Sequence, residues 1–151
     1  MADTSIRIAG PSDIPALAGL RRAFVEERDG EVTDEDFEAR FAHWYECESG
    51  RRVTWVAEAR GEPLGMMSLA VFERMPRPGG DAGRWGYLGN ALVLAAHRSQ
   101  GTGTRLLAAV LRYADERGFA RVVLSPSERS VPFYRRAGFG PAGTLLLRPG
   151  R

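Results

Sequence analysis

Residues 88–107 read LGNALVLAAHRSQGTGTRLL, and the order of features in this stretch decides the fold. Residues 85–93 are apolar and β-prone and read as a strand. Arg98-Ser99-Gln100-Gly101-Thr102-Gly103-Thr104 follows, and Leu106, Leu107, Val110, Leu111 and Ala114 then recur at helical spacing up to Gly118. A strand, a glycine-bearing loop and an amphipathic helix in that order leave unpaired backbone N–H groups at a helix N-terminus, where the dipole also favours negative charge. Gly101 and Gly103 let the backbone bend and let phosphate oxygens approach without a Cβ in the way. Thr102 and Thr104 add hydroxyl donors, and Arg98 adds a forked cation. A dinucleotide fingerprint needs a third glycine where this chain has Leu106, and a nucleoside triphosphate loop needs Gly-Lys-Ser/Thr, which a lysine-free chain lacks. Taken alone, the segment is equally well read as a glycine-rich turn before an ordinary helix.

Working outward, Ile6-Arg7-Ile8 reads as an opening strand. Pro11-Ser12-Asp13 then offers capping oxygens to a helix with Ile14, Leu17, Leu20 and Phe24 on one face. Thr33, with Asp36 three residues on, predicts a second helix carrying Phe37, Phe41, Trp44 and Tyr45 as far as Ser49-Gly50, with Cys47 inside it as a small buried hydrophobe. Residues 53–59 and 64–72 predict an antiparallel hairpin turning at Arg60-Gly61-Glu62-Pro63. Residues 73–84 hold Pro76, Pro78, Gly79, Gly80 and Gly83 and read as a flexible loop and candidate lid. Downstream come a short strand at 121–124, a short helix at 130–136 and a final strand at 144–147 ending at Pro149-Gly150. An uncovered edge at that brief last strand invites a homodimer.

The 151 residues suit one domain, 1–151, large enough to bury its own core. The single cysteine excludes an internal disulfide framework, and no Cys/His cluster has metal-ligand spacing, so no metal is expected. With no secretion signal and no membrane-length apolar segment, a soluble cytoplasmic protein is expected. The 21 basic side chains are all arginine and are scattered among 19 carboxylates for a net charge of +2, without the basic stripe that nucleic acid demands.

The run from Leu88 to Leu107 resembles the signature of the GNAT superfamily of N-acetyltransferases. Val122-Val123-Leu124-Ser125 with Pro132-Phe133-Tyr134-Arg135-Arg136-Ala137-Gly138-Phe139 is similar to that family's next strand and Tyr-x-x-x-Gly-Phe helix end. The resemblance implies an α+β fold in α/β/α layers, around a mixed, mostly antiparallel sheet whose two central strands splay to admit pantetheine. It implies acetyl-CoA as acyl donor, with main-chain groups at Leu92 and Val93 pairing with the pantetheine amides. Arg98, Ser99, Gln100, Gly101, Thr102, Gly103 and Thr104 would hold the pyrophosphate. Many relatives contact the pantetheine arm through an asparagine where this chain has Ser125, so the grip there differs.

Amine acylation needs a neutral nitrogen, a polarised thioester carbonyl and a proton for the departing thiolate, with no obligatory metal. Tyr134 matches the family's frequent general acid. Its alternative is a helix tyrosine that only packs on the sheet. Where relatives often place a basic carboxylate on the strand before the loop, this chain has Asn90, which cannot take a proton but can hold a relaying water. Glu26, Glu27, Asp29, Glu58 and Glu73 are candidate ends of that relay. The reading is direct acetyl transfer to a primary amine, first of a small molecule and second of a peptide or protein. A non-catalytic acyl-CoA sensor is the alternative.

Overall fold

A computed structural model describes residues 3–80 and 83–151. Its order is β1 (Thr4–Ile8), α1 (Ile14–Asp29), α2 (Phe37–Glu48), β2 (Arg52–Ala59), β3 (Glu62–Glu73), β4 (Arg84–Val93), α3 (Thr102–Glu116), β5 (Val122–Val123) and α4 (Val131–Arg136). The strands form one sheet in the order β1-β2-β3-β4-β5, antiparallel throughout except for the parallel β4–β5 pair. This is the α+β architecture with a mixed central sheet that the sequence predicts.

Alternation along the strands sends side chains to two cores. On one face Trp55, Ala57, Met67, Leu69 and Leu88 pack with Leu106, Leu107 and Val110 of α3 and with Tyr134 of α4. On the other, Val56, Met66 and Leu92 pack under Leu17, Ala18 and Leu20 of α1 and Phe41 of α2, with Phe24, Trp44 and Tyr45 alongside. The aromatic side chains of the first two helices are therefore core, in keeping with their helical spacing.

Local chemistry sets the joints. The β2–β3 hairpin turns on Arg60 and Gly61, both at positive φ, a two-residue turn whose twist matches the strands it joins. Gly65 lies where β4 passes so closely that an added Cβ would sit 2.7 Å from the Leu92 carbonyl oxygen, so only glycine fits. The Asp13 side chain does not cap α1. It accepts from the Gly10 N–H and from both Arg7 guanidinium arms at 2.8 Å, tying β1 to the start of the helix, while Arg7 Nε reaches Glu58.

The Arg7 hydrogen bonds, and then the Gly10 N–H, hold the Asp13 carboxyl at about 2, below its ordinary 3.8. A depressed carboxylate pKa stabilises the fold fully above the ordinary value, and this contribution is lost as pH falls from about 4 towards 2. Acid unfolding of Asp13→Asn, followed by far-UV circular dichroism, should lack that part of the pH slope.

Four sequence expectations need correction. The second helix begins at Phe37 with Asp36 as its N-cap residue, not at Thr33. The chain ahead of it is held by Arg22, which donates to the Val32 and Asp34 carbonyls at 2.7 Å. Cys47 is exposed rather than buried, 3.6 Å from His43 Nε2 one turn earlier on the outer side of α2. The strand at 121–124 reduces to Val122–Val123.

The strand expected at 144–147 is absent. A turn at Gly143-Thr144 follows Pro141, the segment has no ladder partner among the described residues, and Leu146 and Leu147 stand in solvent. Of the loop expected at 73–84, residues 74–83 connect the strands, closed by the Arg74 N–H on the Gly83 carbonyl at 2.7 Å. Asp81 and Ala82 lie outside the described residues.

Candidate active site

The parallel ladder between β4 and β5 has two rungs, Gly86↔Val122 and Tyr87↔Val123. Beyond them the two strands separate. From Leu88 to Val93 the edge of β4 that would face β5 has no strand partner among the described residues, leaving main-chain groups along a slot between the two strands. The other edge pairs with β3 through a bulge: Ser68 opposes Gly89 and Met66 opposes Leu92, so Met67 faces both Asn90 and Ala91. Asn90 takes φ 50° at this bulge and its side chain is exposed. Asparagine is among the few side chains that accept this conformation at low cost, so its place here has a backbone reason besides any catalytic one.

The loop that follows leaves backbone donors unpaired ahead of α3. Ser99 at φ 61° and Gly101 at φ 83° make two left-handed turns one residue apart. Gly101 is the N-cap residue of α3, so no side chain caps that terminus, and the first backbone bond across it runs from the Arg105 N–H to the Gly101 carbonyl at 3.0 Å. The N–H groups of Thr102, Gly103 and Thr104 therefore stay free for a ligand. Thr102 is buried, and a side chain added at Gly103 would face the Phe133 ring at 3.6 Å, so α4 closes one flank of the cradle. Free N–H groups, two glycines and an unpaired strand edge fit a diphosphate with an amide-bearing arm.

Arg98 is placed differently from a free phosphate ligand. Its Nε donates to the Val93 carbonyl at 2.8 Å and its Nη2 to Glu27 Oε2 at 2.7 Å, with the guanidinium 5.9 Å from the Phe24 ring centre. Glu27 Oε1 in turn accepts from the Ala95 N–H at 2.8 Å. A carboxylate of α1 thus holds the segment ahead of α3 by two bonds, a tether that no spacing in the sequence reveals because Glu27 and Arg98 are far apart along the chain. Arg98 keeps donors on Nη1 for a second partner.

Tyr134 belongs to the cluster that includes Leu88, Leu106 and Leu107, with Val93, Val122 and Leu124 packed against it. Its ring meets Phe133 and Phe139 edge-on at 5.0 and 5.7 Å. Burial pushes its phenol above the ordinary 10, so it stays protonated at neutral pH. Among the described residues the hydroxyl makes no hydrogen bond, and the side chain lines a cavity of about 310 Å³ with Val122, Leu124, Val131 and Phe139. No lining residue comes from β4, which puts this cavity along the outer side of β5.

Ser125 lies at the far end of the slot, where its hydroxyl accepts from the Tyr87 hydroxyl at 2.9 Å across the two strands. Sequence reasoning missed Tyr87. The five carboxylates considered for a proton relay are all engaged by arginine: Glu26 by Arg22, Glu27 by Arg98, Asp29 by Arg28, Glu58 by Arg7 and Glu73 by Arg84. The structure thus places Leu92 and Val93 on the unpaired edge of β4 and Ser99–Thr104 ahead of α3, sets Ser125 at the slot's end, packs Tyr134 between the Leu88 cluster and the cavity along β5, and among the described residues brings no free carboxylate to Asn90.

The family model described as "Acetyltransferase (GNAT) family" matches residues 17–139. Glucosamine 6-phosphate N-acetyltransferase of Candida albicans is 24% identical over 118 residues, covering 78% of this chain and 77% of the relative. A GCN5-related N-acetyltransferase of Ralstonia eutropha superposes with a TM-score of 0.73 at 29% identity, over 97% of this chain and 98% of the other. A predicted acetyltransferase of Clostridium acetobutylicum, solved with acetyl-CoA, gives 0.77 at 22% identity over 97% and 96%. With its slot, its uncapped helix terminus and these matches, the chain belongs to the acetyltransferase (GNAT) family and is an acetyl-CoA-dependent N-acetyltransferase.

Proposed function

We propose that the enzyme acetylates the primary amine of a small molecule by direct transfer, with donor and acceptor bound together. The observation that carries the coenzyme half is the ladder that stops after two rungs beside an uncapped α3 terminus. Acetyl-CoA supplies the activated acyl group. The protein aligns the pantetheine amides along the free edge of β4 and neutralises the diphosphate on the Ser99–Thr104 main chain, with Arg98 adding charge. The amine nitrogen bonds to the carbonyl carbon as the carbon–sulfur bond breaks. The thiolate takes a proton from Tyr134, whose raised pKa keeps it a donor, and the nitrogen loses its proton through water at Asn90 to solvent, since each candidate carboxylate is already paired.

The small-molecule acceptor is supported by the Candida relative, named for acetylating glucosamine 6-phosphate. The exposed Leu146 and Leu147 favour pairing of two copies, which sedimentation across a concentration series would detect. Direct transfer is tested by initial rates of thiol release while donor and amine are both varied. Intersecting reciprocal plots are expected, and parallel lines would indicate an acyl-enzyme instead.

A further inference from the structure

The ladder between β4 and β5 ends at Tyr87↔Val123, yet the two strands keep one further link. Tyr87 opposes Ala70 and Gly89 opposes Ser68, so both lie on the sheet face of Met66, which α1 and α2 partly cover. A Cβ added at Gly89 would lie 3.8 Å from Tyr87 Cε1 and 3.9 Å from its Cδ1. The tyrosine ring therefore reaches along β4 and rests beside the Gly89 backbone. From there its hydroxyl donates to Ser125 Oγ at 2.9 Å. Ser125 is two residues past the last rung on β5, as Gly89 is on β4.

Tyr87 and Ser125 thus cross from strand to strand on one sheet face, at the level of Gly89. On the other face buried Leu88 packs with Leu106, Leu107 and Tyr134, and Leu124 lies against them. The unpaired stretch of β4 beyond this crossing runs from Asn90 to Val93, with Asn90 exposed. Leu92 back to Gly89 is about 10 Å at about 3.3 Å per residue. With a pantetheine amide paired at Leu92, that length takes the cysteamine end and a two-carbon acyl group, and then meets the Tyr87 ring.

We infer that Tyr87, held by Ser125, is the stop that sets acyl-chain length, so the donor carries a short acyl group and longer acyl-CoA thioesters are disfavoured. The inference rests on the coenzyme reading above and adds a specificity-determining residue to it. A six-carbon chain has to push the ring off Gly89 and break its bond to Ser125, a cost that acetyl does not incur.

The test is calorimetric titration of the protein with CoA, acetyl-CoA and hexanoyl-CoA, which needs no acceptor. The wild type should bind acetyl-CoA at least about tenfold more tightly than hexanoyl-CoA. Tyr87→Ala clears the ring and should tighten hexanoyl-CoA binding about tenfold, with the affinity for CoA unchanged. Tyr87→Phe keeps the ring but frees it from Ser125, and should narrow the gap without closing it.

Equal affinity of the wild type for the two thioesters, or a gap that survives Tyr87→Ala, overturns the stop and leaves the coenzyme reading intact. Loss of CoA affinity in Tyr87→Ala also overturns it, by giving Tyr87 to the general grip on the coenzyme. A gap unchanged in Tyr87→Phe overturns the part assigned to the Ser125 bond. Failure of CoA itself to bind the wild type overturns the underlying reading and the stop with it.

Discussion

Tyr134→Phe should lower kcat about a hundredfold, within the usual range for losing a general acid, while acetyl-CoA binding changes by less than about twofold. The split between the two quantities is the informative part. Phe keeps the ring and so keeps its edge-on contacts with Phe133 and Phe139, and the hydroxyl removed has no hydrogen bond to the protein among the described residues. Stability should therefore be nearly unchanged, and a loss of turnover reports the missing proton. Burial raises the phenol's pKa, so the acid form persists across the neutral range and the wild-type rate should not fall until the pH passes the ordinary tyrosine value near 10. Equal turnover in the variant would reduce Tyr134 to a packing residue.

Arg98→Ala should weaken acetyl-CoA binding by about 1.5 to 3 kcal/mol, a factor of about 10 to 150 in Kd, as expected for loss of hydrogen bonds to a charged group. The arginine acts in two ways. In the proposed site it brings a positive charge to the diphosphate, and through Glu27 and the Val93 carbonyl it fixes the segment before α3 to α1 and to the end of β4. Glu27→Gln separates the two. The variant keeps the arginine, loses the ion pair and weakens the hold on the Ala95 N–H. If the tether matters, it too weakens acetyl-CoA binding, by calorimetry, though less than Arg98→Ala. If the Glu27 variant binds normally and the Arg98 variant does not, charge alone explains the residue.

Much of the fold was legible because its signals are local. β-prone apolar runs mark β2, β3 and β4, Arg60-Gly61 marks the hairpin, and the spacing of Leu106, Leu107, Val110 and Ala114 marks the buried face of α3. The turn before α3 was legible for the same reason, since Gly101 acts through its own backbone at positive φ. What escaped depends on contacts distant in sequence. Glu27 of α1 reaches Arg98 after β4, and Tyr87 meets Ser125 across the two strands.

The second-helix start failed because Thr33 and Asp36 are both good caps and only tertiary packing chooses between them. The last strand failed because three leucines in a row satisfy a strand pattern, while a strand also needs a partner edge that nothing local supplies. Asn90 shows a middle case. An asparagine within a β-prone run was a signal of positive φ and hence of the bulge, and reading it only as a missing base overlooked its backbone role.

The measurement that bears most directly on the coenzyme slot between β4 and β5 is the thermal unfolding midpoint with and without acetyl-CoA. At about a hundredfold excess over Kd, binding to the folded state alone stabilises it by about 2.7 kcal/mol, which for a domain of this size raises the midpoint by about 5 to 10 °C. That rise is expected for the wild type. A midpoint unmoved by saturating acetyl-CoA would contradict the assignment of the slot and its cradle.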